Sequence, residues 1–404
     1  MISLRRSRVA PASARAVIQM LISAAALAGC TMGASGVTGS QSATHTATST
    51  PSPTSTSAPL GAGSGSAPAK LRMFAFYYVW WDAAHWRARL GPSYPLGRIP
   101  APLPASLGAD GCHPVSLYPG NQLTDVSSPL YDQSKPTQFV SDVREAAAAG
   151  LAGFAVAWAG TGEAAQNSGS SLYNTRLAML VDAVEAFDAA GGHFKLWISY
   201  MSSSRIRTEQ AMNNDFAYLE SAYGSSPAFD HSNGGLPTLI LMGSRKYPLS
   251  VLDPLSTAWR KHFYLVGDEN WRTWNAARAA VFDADQYYWS SEPPGASSYA
   301  DIAALAAMVR SERNPDGSAK QFFSPLAPGY DKQLAGGANC VPRAGGNTMR
   351  ELYAGNSTVH PDAWLLISWN EITEGTYVVP LERYGTQSLD TLSSIIAGAS
   401  RGEA

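Results

Sequence analysis

A chain of 404 residues with a formal net charge of −2 and only 15% charged side chains gives no electrostatic case for nucleic acid or for an acidic lipid surface. Cys-x-x-Cys, His-x-His and His-Glu-x-x-His spacings do not occur, so neither a zinc site nor any other cofactor is expected. The stretch beyond residue 70, roughly 330 residues, is long enough for one large α/β barrel.

The first 29 residues read as an export signal. Arg5, Arg6, Arg8 and Arg15 make a basic start, and residues 16–27 are an apolar run too short for a membrane-spanning helix. The run ends in Leu27-Ala28-Gly29-Cys30, which resembles the lipobox of bacterial lipoproteins. That resemblance implies lipidation of Cys30 and a membrane anchor through its acyl chains. The alternative is an ordinary secretory signal cut nearby. Either way the mature protein is expected outside the cytoplasm, and the lipobox reading ties it to the cell membrane. Residues 30–70 are dominated by Ser, Thr, Gly, Ala and Pro without apolar periodicity, the composition of a disordered tether. Residues 71–404 are then one folded domain.

Within that domain the apolar runs 71–79, 153–158, 194–200, 236–242, 263–266, 279–283, 321–326 and 364–368 predict eight buried strands. Helical spacing covers 139–149, 172–190, 213–223 and 299–312, with Gly150 as a C-cap. The helices after the fourth and fifth strands are poorly marked. Eight short strands mostly separated by helices is the arithmetic of a (β/α)8 TIM barrel. A long Pro- and Gly-rich loop, 90–134, follows the first strand; loops of this length in a compact domain are usually functional or disordered. Cys112 lies in that loop and Cys340 in another, and in an oxidising compartment they are expected to pair.

Residues 363–384 carry the strongest chemical signal. An apolar strand turns abruptly into Trp369, Asn370, Glu371, Thr373, Glu374 and Gly375. Two carboxylates three residues apart, just past the carboxyl end of a buried strand, stand where α/β folds place their chemistry. Glycoside cleavage needs two carboxyl groups near one bond. The plainer alternative is a solvated pair on a surface turn. Other strand ends bring Tyr77, Tyr78, Trp80, Trp158, Tyr287, Tyr330 and Asp331 towards the same rim, and the long loop adds Asp132. Aromatic faces, carboxylates and amides suit a sugar cleft, although each aromatic alone also fits the core. Tyr77 and Phe76 alternate along one strand, so only one of them points into the barrel. Arg343 either caps a helix or binds a hydroxyl.

Phe76-Tyr77-Tyr78, Tyr131-Asp132, Pro328-Gly329-Tyr330-Asp331, Pro342-Arg343 and the segment SWNEITEGT occur in that order. Together they resemble the endo-α-mannosidase and endo-α-mannanase group, glycoside hydrolase family 99, with its family-71-like neighbours. The resemblance implies a (β/α)8 barrel that cleaves α-linked polysaccharide internally with retention, of α-mannan or α-glucan type. It implies that Glu371 takes a proton from the sugar 2-hydroxyl, which displaces the leaving group to give a 1,2-anhydro sugar. Glu374 would protonate the leaving oxygen and later activate water. Two departures stand out: Ile372-Thr373 replaces a Trp-His pair, and Met201-Ser202-Ser203 replaces a Glu-Pro-Tyr. The remaining expected contacts are Tyr77, Tyr78, Trp80, Asp132, Trp158, Tyr287, Tyr330, Asp331, Arg343, Trp369 and Asn370. The partner is a polysaccharide, and the protein is expected to be a monomer. A second hypothesis, from a different class, is a surface lipoprotein that binds glycan on the same scaffold without cleaving it.

Overall fold

The computed structural model describes residues 71–90, 112, 123, 125–161, 170–202, 206–333 and 339–401. The signal, Cys30 and the tether lie outside the described residues. The chain enters through β1 (Met73–Tyr78), α1 (Ala83–Leu90) and α2 (Pro136–Ala148). It continues through β2 (Gly153–Trp158), α3 (Ser170–Ala189), β3 (Lys195–Tyr200), α4 (Glu209–Tyr223), β4 (Thr238–Leu241) and α5 (Leu249–Trp259). There follow β5 (Tyr264–Asp268), α6 (Ala276–Val281), β6 (Ala284–Gln286), α7 (Ala296–Ser311) and β7 (Gln321–Leu326). The last elements are β8 (Tyr330–Asp331), β9 (Cys340–Val341), α8 (Asn347–Ser357), β10 (Ala363–Leu366) and α9 (Gln387–Arg401).

Eight of the strands close into a parallel barrel in the order β1-β10-β7-β6-β5-β4-β3-β2, and β8 and β9 form a small antiparallel hairpin above it. The (β/α)8 expectation is therefore met. The continuous apolar strands follow from burial on both faces, one against the barrel interior and one against the helices. Phe74, Phe76 and Tyr78 share the inner face of β1 by alternation. Phe74 stacks on Trp197 at 3.9 Å, and Trp197 on Phe323 at 5.0 Å, which fills the lower barrel from three alternate strands. Tyr77 takes the outer face, packs beside Phe139 of α2 and donates to Asp142 at 2.6 Å.

Seven strands fall where the apolar runs predict them; the sixth does not. Residues 276–281 are helix α6, started by Asn275, whose side chain accepts from the backbone N–H groups of Ala277 and Arg278. An alanine-rich run with a good N-cap favours helix over strand. The strand of that repeat is instead the three-residue β6. Helix α5 was hard to read because Pro254 interrupts it. Gly150, at φ +94°, follows α2 as expected for a left-handed C-terminal residue.

Cys112 and Cys340 are joined, with Cα atoms 5.7 Å apart, so the segment after β1 is tied to β9. Cys340 sits in a short strand rather than a loop. No helix among the described residues is long and apolar enough to cross a membrane.

Candidate active site

After β10 the chain folds back on itself over residues 368–379. Ser368 donates its backbone N–H to Thr376 O at 2.7 Å, and its hydroxyl accepts from the N–H of Glu371 at 2.7 Å. Gly375 closes the turn through its N–H to Ile372 O at 3.1 Å. Its φ of +67° and the approach of Asp331 N to within 3.0 Å of where a Cβ would lie both require glycine. The loop is held at three outside points. Asn370 accepts from Tyr78 N–H and donates to Tyr78 O, each at 2.8 Å, which fixes it to the end of β1. Glu374 O accepts from Asp331 N–H at 2.8 Å, fixing it to β8. Gly375 O accepts from the Arg343 guanidinium at 2.8 Å.

This frame presents Glu371 and Glu374 at the carboxyl-terminal mouth of the barrel. Glu371 is only 4% exposed, and its Oε1 accepts the Thr373 N–H at 3.1 Å. Burial first, and the Glu374 carboxylate second, push the Glu371 carboxyl up to about 8, against the opposing pull of Arg89, Thr373 and Lys332. Glu374 is more open, its side chain 21% exposed, and its Oε1 lies 2.8 Å from Lys332 Nζ. Three tyrosines sense both carboxylates and a fourth senses Glu371. Burial and then the charges of Glu371 and Glu374 raise the phenol of Tyr78; burial, then Tyr78, Glu374 and Glu371, raise that of Tyr288. Tyr330, from β8, is raised by burial and then by Glu374, Asp331 and Glu371; Tyr173, from α3, is raised by burial and by Glu371 and Asp82, against Arg176. Tyr78 and Tyr288 share a hydrogen bond of 2.7 Å, and Tyr78 stacks on Trp80 at 4.5 Å. The indole N–H of Trp80 is buried with no partner among the described residues.

The expected contact residues divide into two sets. Tyr78, Trp80 and Tyr330 gather with the two glutamates, and Asp331 stands beside them, its carboxylate accepting Gln333 N–H at 3.1 Å. The others make different contacts, and strand alternation accounts for two of them, Tyr77 and Trp158. Tyr77 and Trp158 are completely buried between barrel and helices; Trp158 donates to Asn174 at 2.8 Å and stacks with Tyr218. Trp369 is completely buried beside Phe154. Asn370 spends its amide on Tyr78 and contacts Tyr131. Asp132 accepts from Ser134 and pairs with Lys135 at 3.2 Å, closing the turn into α2. Tyr287 belongs to a separate cluster with Trp271 and Trp289, under the Arg245 guanidinium. Arg343 stands at the N-cap position of the 3-10 turn Ala344–Gly346 but makes no side-chain cap bond: its guanidinium lies over the rings of Tyr377 and Tyr384, at 4.4 and 4.3 Å, with one nitrogen on Ser388 and another on Gly375 O.

Tyr288, Tyr173 and Lys332 are the site residues that sequence reasoning missed. Tyr288 follows from alternation once β6 is placed correctly, since it is two residues past the inward-facing Gln286. Tyr173 and Lys332 leave no local signal. Among the described residues no group of three or more His, Cys, Asp or Glu could hold a metal ion.

Comparison with known proteins locates the fold. No family model and no curated protein matches the sequence. Among solved structures, the chain is similar to the GH99 endo-α-mannosidase from Bacteroides thetaiotaomicron at a TM-score of 0.59 and 16% identity, over 82% of this chain and 98% of that one. The same enzyme in complex with bis-tris-propane gives 0.59 and 15%, over 82% and 99%. A glycoside hydrolase-like protein gives 0.57 and 12%, over 83% and 97%. The chain has the fold of the endo-α-mannosidase barrel. The likeness spans nearly the whole of those chains, in keeping with the resemblance read from SWNEITEGT.

Proposed function

We propose that this protein is a glycoside hydrolase that cleaves α-linked polysaccharide, of α-mannan or α-glucan type, within the chain, using Glu371 and Glu374 as its catalytic carboxyl pair. The observation that carries the reading is the pair itself. Two carboxyls on one braced loop at the barrel mouth, ringed by tyrosines, hold unequal environments: one buried, one partly open and paired with a cation. Unequal environments separate the affinities of two like groups for a proton, so one serves as acid while the other serves as base. The endo-α-mannosidase fold supports the same reading.

In the reaction proposed, the ionised carboxylate takes the proton of the sugar 2-hydroxyl. That oxygen attacks C1 and forms a C–O bond as the glycosidic C–O bond breaks. The protonated carboxyl gives its proton to the departing oxygen. The products are a 1,2-anhydro sugar end and a shortened chain; water then adds across the strained ring with the proton roles reversed. The Tyr78–Trp80 stack offers a ring face and the Tyr78–Tyr288 pair offers hydroxyls to a sugar in the mouth.

We place the enzyme outside the cytoplasm, held to the membrane through acyl chains on Cys30. Cys30→Ser should move it from the membrane to the soluble fraction; retention on membranes by that variant sinks the anchor. The hydrolase reading is tested by product mass from α-mannans and α-glucans. A barrel that binds such chains and never shortens them is the glycan-binding reading, favoured by the Thr373 side chain standing where the family's histidine is expected.

A further inference from the structure

The turns after β4, β5 and β6 carry a second aromatic surface on the same rim of the barrel as the carboxyl pair. Trp271 follows β5, Tyr287 and Trp289 follow β6, and the ring centroids lie 5.4–5.6 Å from one another. The fold buries Trp158, Trp197 and Trp369 completely, yet all three rings of this cluster are partly exposed. Large aromatic rings left side by side at a surface mark a contact for a ligand. Arg245, from the turn after β4, lies over Tyr287 at 5.2 Å, and the exposed Arg272 lies over Trp271 at 5.9 Å.

One carboxylate ties this surface to the mouth. Asp268, buried at the end of β5, accepts the Tyr288 N–H at 2.9 Å on Oδ1 and pairs the same oxygen with Arg245 at 2.8 Å. Its Oδ2 accepts the Gly243 N–H at 2.6 Å. Tyr288 reaches Tyr78 at the mouth, while Tyr287 and Trp289, one residue to either side, meet each other on the opposite face, as alternation requires. A single braced segment therefore offers a hydroxyl to the mouth and two rings just beyond it.

We propose that Trp271, Tyr287 and Trp289 form a remote holding site for polysaccharide, stacking sugars that lie outside the mouth while Arg272 donates to their hydroxyls. This deepens the hydrolase reading and rests on it for its occupant, since a chain seated at the carboxyl pair continues over residues 287–289 onto these rings. A sugar presents an apolar C–H face and a polar edge, which rings beside a guanidinium complement. Once one end of a long chain is held, the second contact is intramolecular, so grip rises without a new catalytic group.

Affinity electrophoresis of the full chain in gels containing α-mannan or α-glucan reads that grip without turnover, with Glu371→Gln as the reference so that the gel is not digested. Added to that background, Trp271→Ala and Trp289→Ala should each weaken retention by about tenfold, the loss ordinary for an aromatic anchor, and Trp271→Phe should restore most of it. Arg272→Ala, at an exposed position, should weaken it by about two- to fivefold and decides the matter if an alanine variant fails to fold. Retention equal to the reference in Arg272→Ala and in the folded tryptophan variants, or no retention of the reference in either gel, overturns the proposal. Variants that lose only adsorption to vesicles of anionic phospholipid, with retention in the gels unchanged, make the surface a membrane contact and overturn it as well. Product mass reports separately on the hydrolase: weakened retention without any cleavage by the parent sinks the hydrolase reading and leaves the holding site standing.

Discussion

Two buried carboxyls with raised proton affinity lie close to the end of β1, and they are built for different ends. Asp142, on α2 behind the barrel wall, is held up to about 7 by burial, but it is ringed with donors: Tyr77 at 2.6 Å, Gln138 at 3.1 Å and the Tyr131 hydroxyl. Glu371, at the mouth, is held up to about 8 with the Thr373 N–H at 3.1 Å and a second carboxylate as neighbour. Saturation with donors marks a structural acid, which ties α2 to β1. Sparse donors and a like charge mark an acid whose remaining hydrogen-bonding capacity is available to a ligand. A perturbed proton affinity therefore does not identify a catalytic group; the count of donors around it separates the two.

Substitution should break the pair apart most sharply. Glu371→Gln and Glu374→Gln should each lower kcat by about 10²–10⁴-fold, the contribution typical of a general acid or base, with ligand affinity kept. Asp142→Asn, by contrast, should leave turnover near the parent value. Steady-state kinetics on one defined α-linked substrate compares all three.

Arg343 sharpens the same contrast from the side of the loop. Its guanidinium lies against two aromatic faces, holds the Gly375 carbonyl and reaches Ser388 on α9, so it braces the loop that carries Glu374. Arg343→Lys keeps the charge but loses the planar fork. The expected result is a drop of about tenfold in kcat with KM nearly unchanged, since misplacement of a reacting group acts on the chemical step. A change confined to KM would return Arg343 to the substrate contacts expected from sequence.

On stability the order inverts. Tyr131→Phe removes a donor from buried Asp142 and should cost about 1–3 kcal/mol by denaturant unfolding, whereas Glu371→Gln should cost less or even stabilise. The smallest effect concerns Glu292, a buried acid whose partner is Asn356 at 3.1 Å and which burial pushes up to about 8. Its folded-state proton affinity exceeds the unfolded one, so its stabilising contribution is complete below the ordinary glutamate range and is lost as pH rises through about 8. Glu292→Gln should flatten that decline, which runs from the ordinary glutamate range up to about pH 8, raising Tm near pH 8 by about 2–4 °C relative to the parent's own fall.

Much of the barrel was legible because parallel strands buried on both faces read as unbroken apolar runs. β6 was not, because Ala284-Asp285-Gln286 holds one apolar residue and the preceding alanines belong to a capped helix. The Glu371 and Glu374 loop was legible because polarity changes abruptly after Ile367. The aromatic contacts were half legible, for a precise reason of geometry: alternation gives which residues share a face and leaves open which face looks inward. That ambiguity put Tyr77 and Trp158 at the mouth in sequence and behind the wall in the fold. Lys332 was out of reach of sequence reasoning, since its partner is 42 residues away and the contact exists only once β8 crosses the barrel mouth.

The most direct measurement is product mass from the full chain incubated with α-mannans and α-glucans, run beside Glu371→Gln and Glu374→Gln. The account predicts internal cleavage to oligosaccharides by the parent and none by either variant. Equal cleavage by parent and both variants, or oligosaccharides bound by the parent and never shortened, contradicts it.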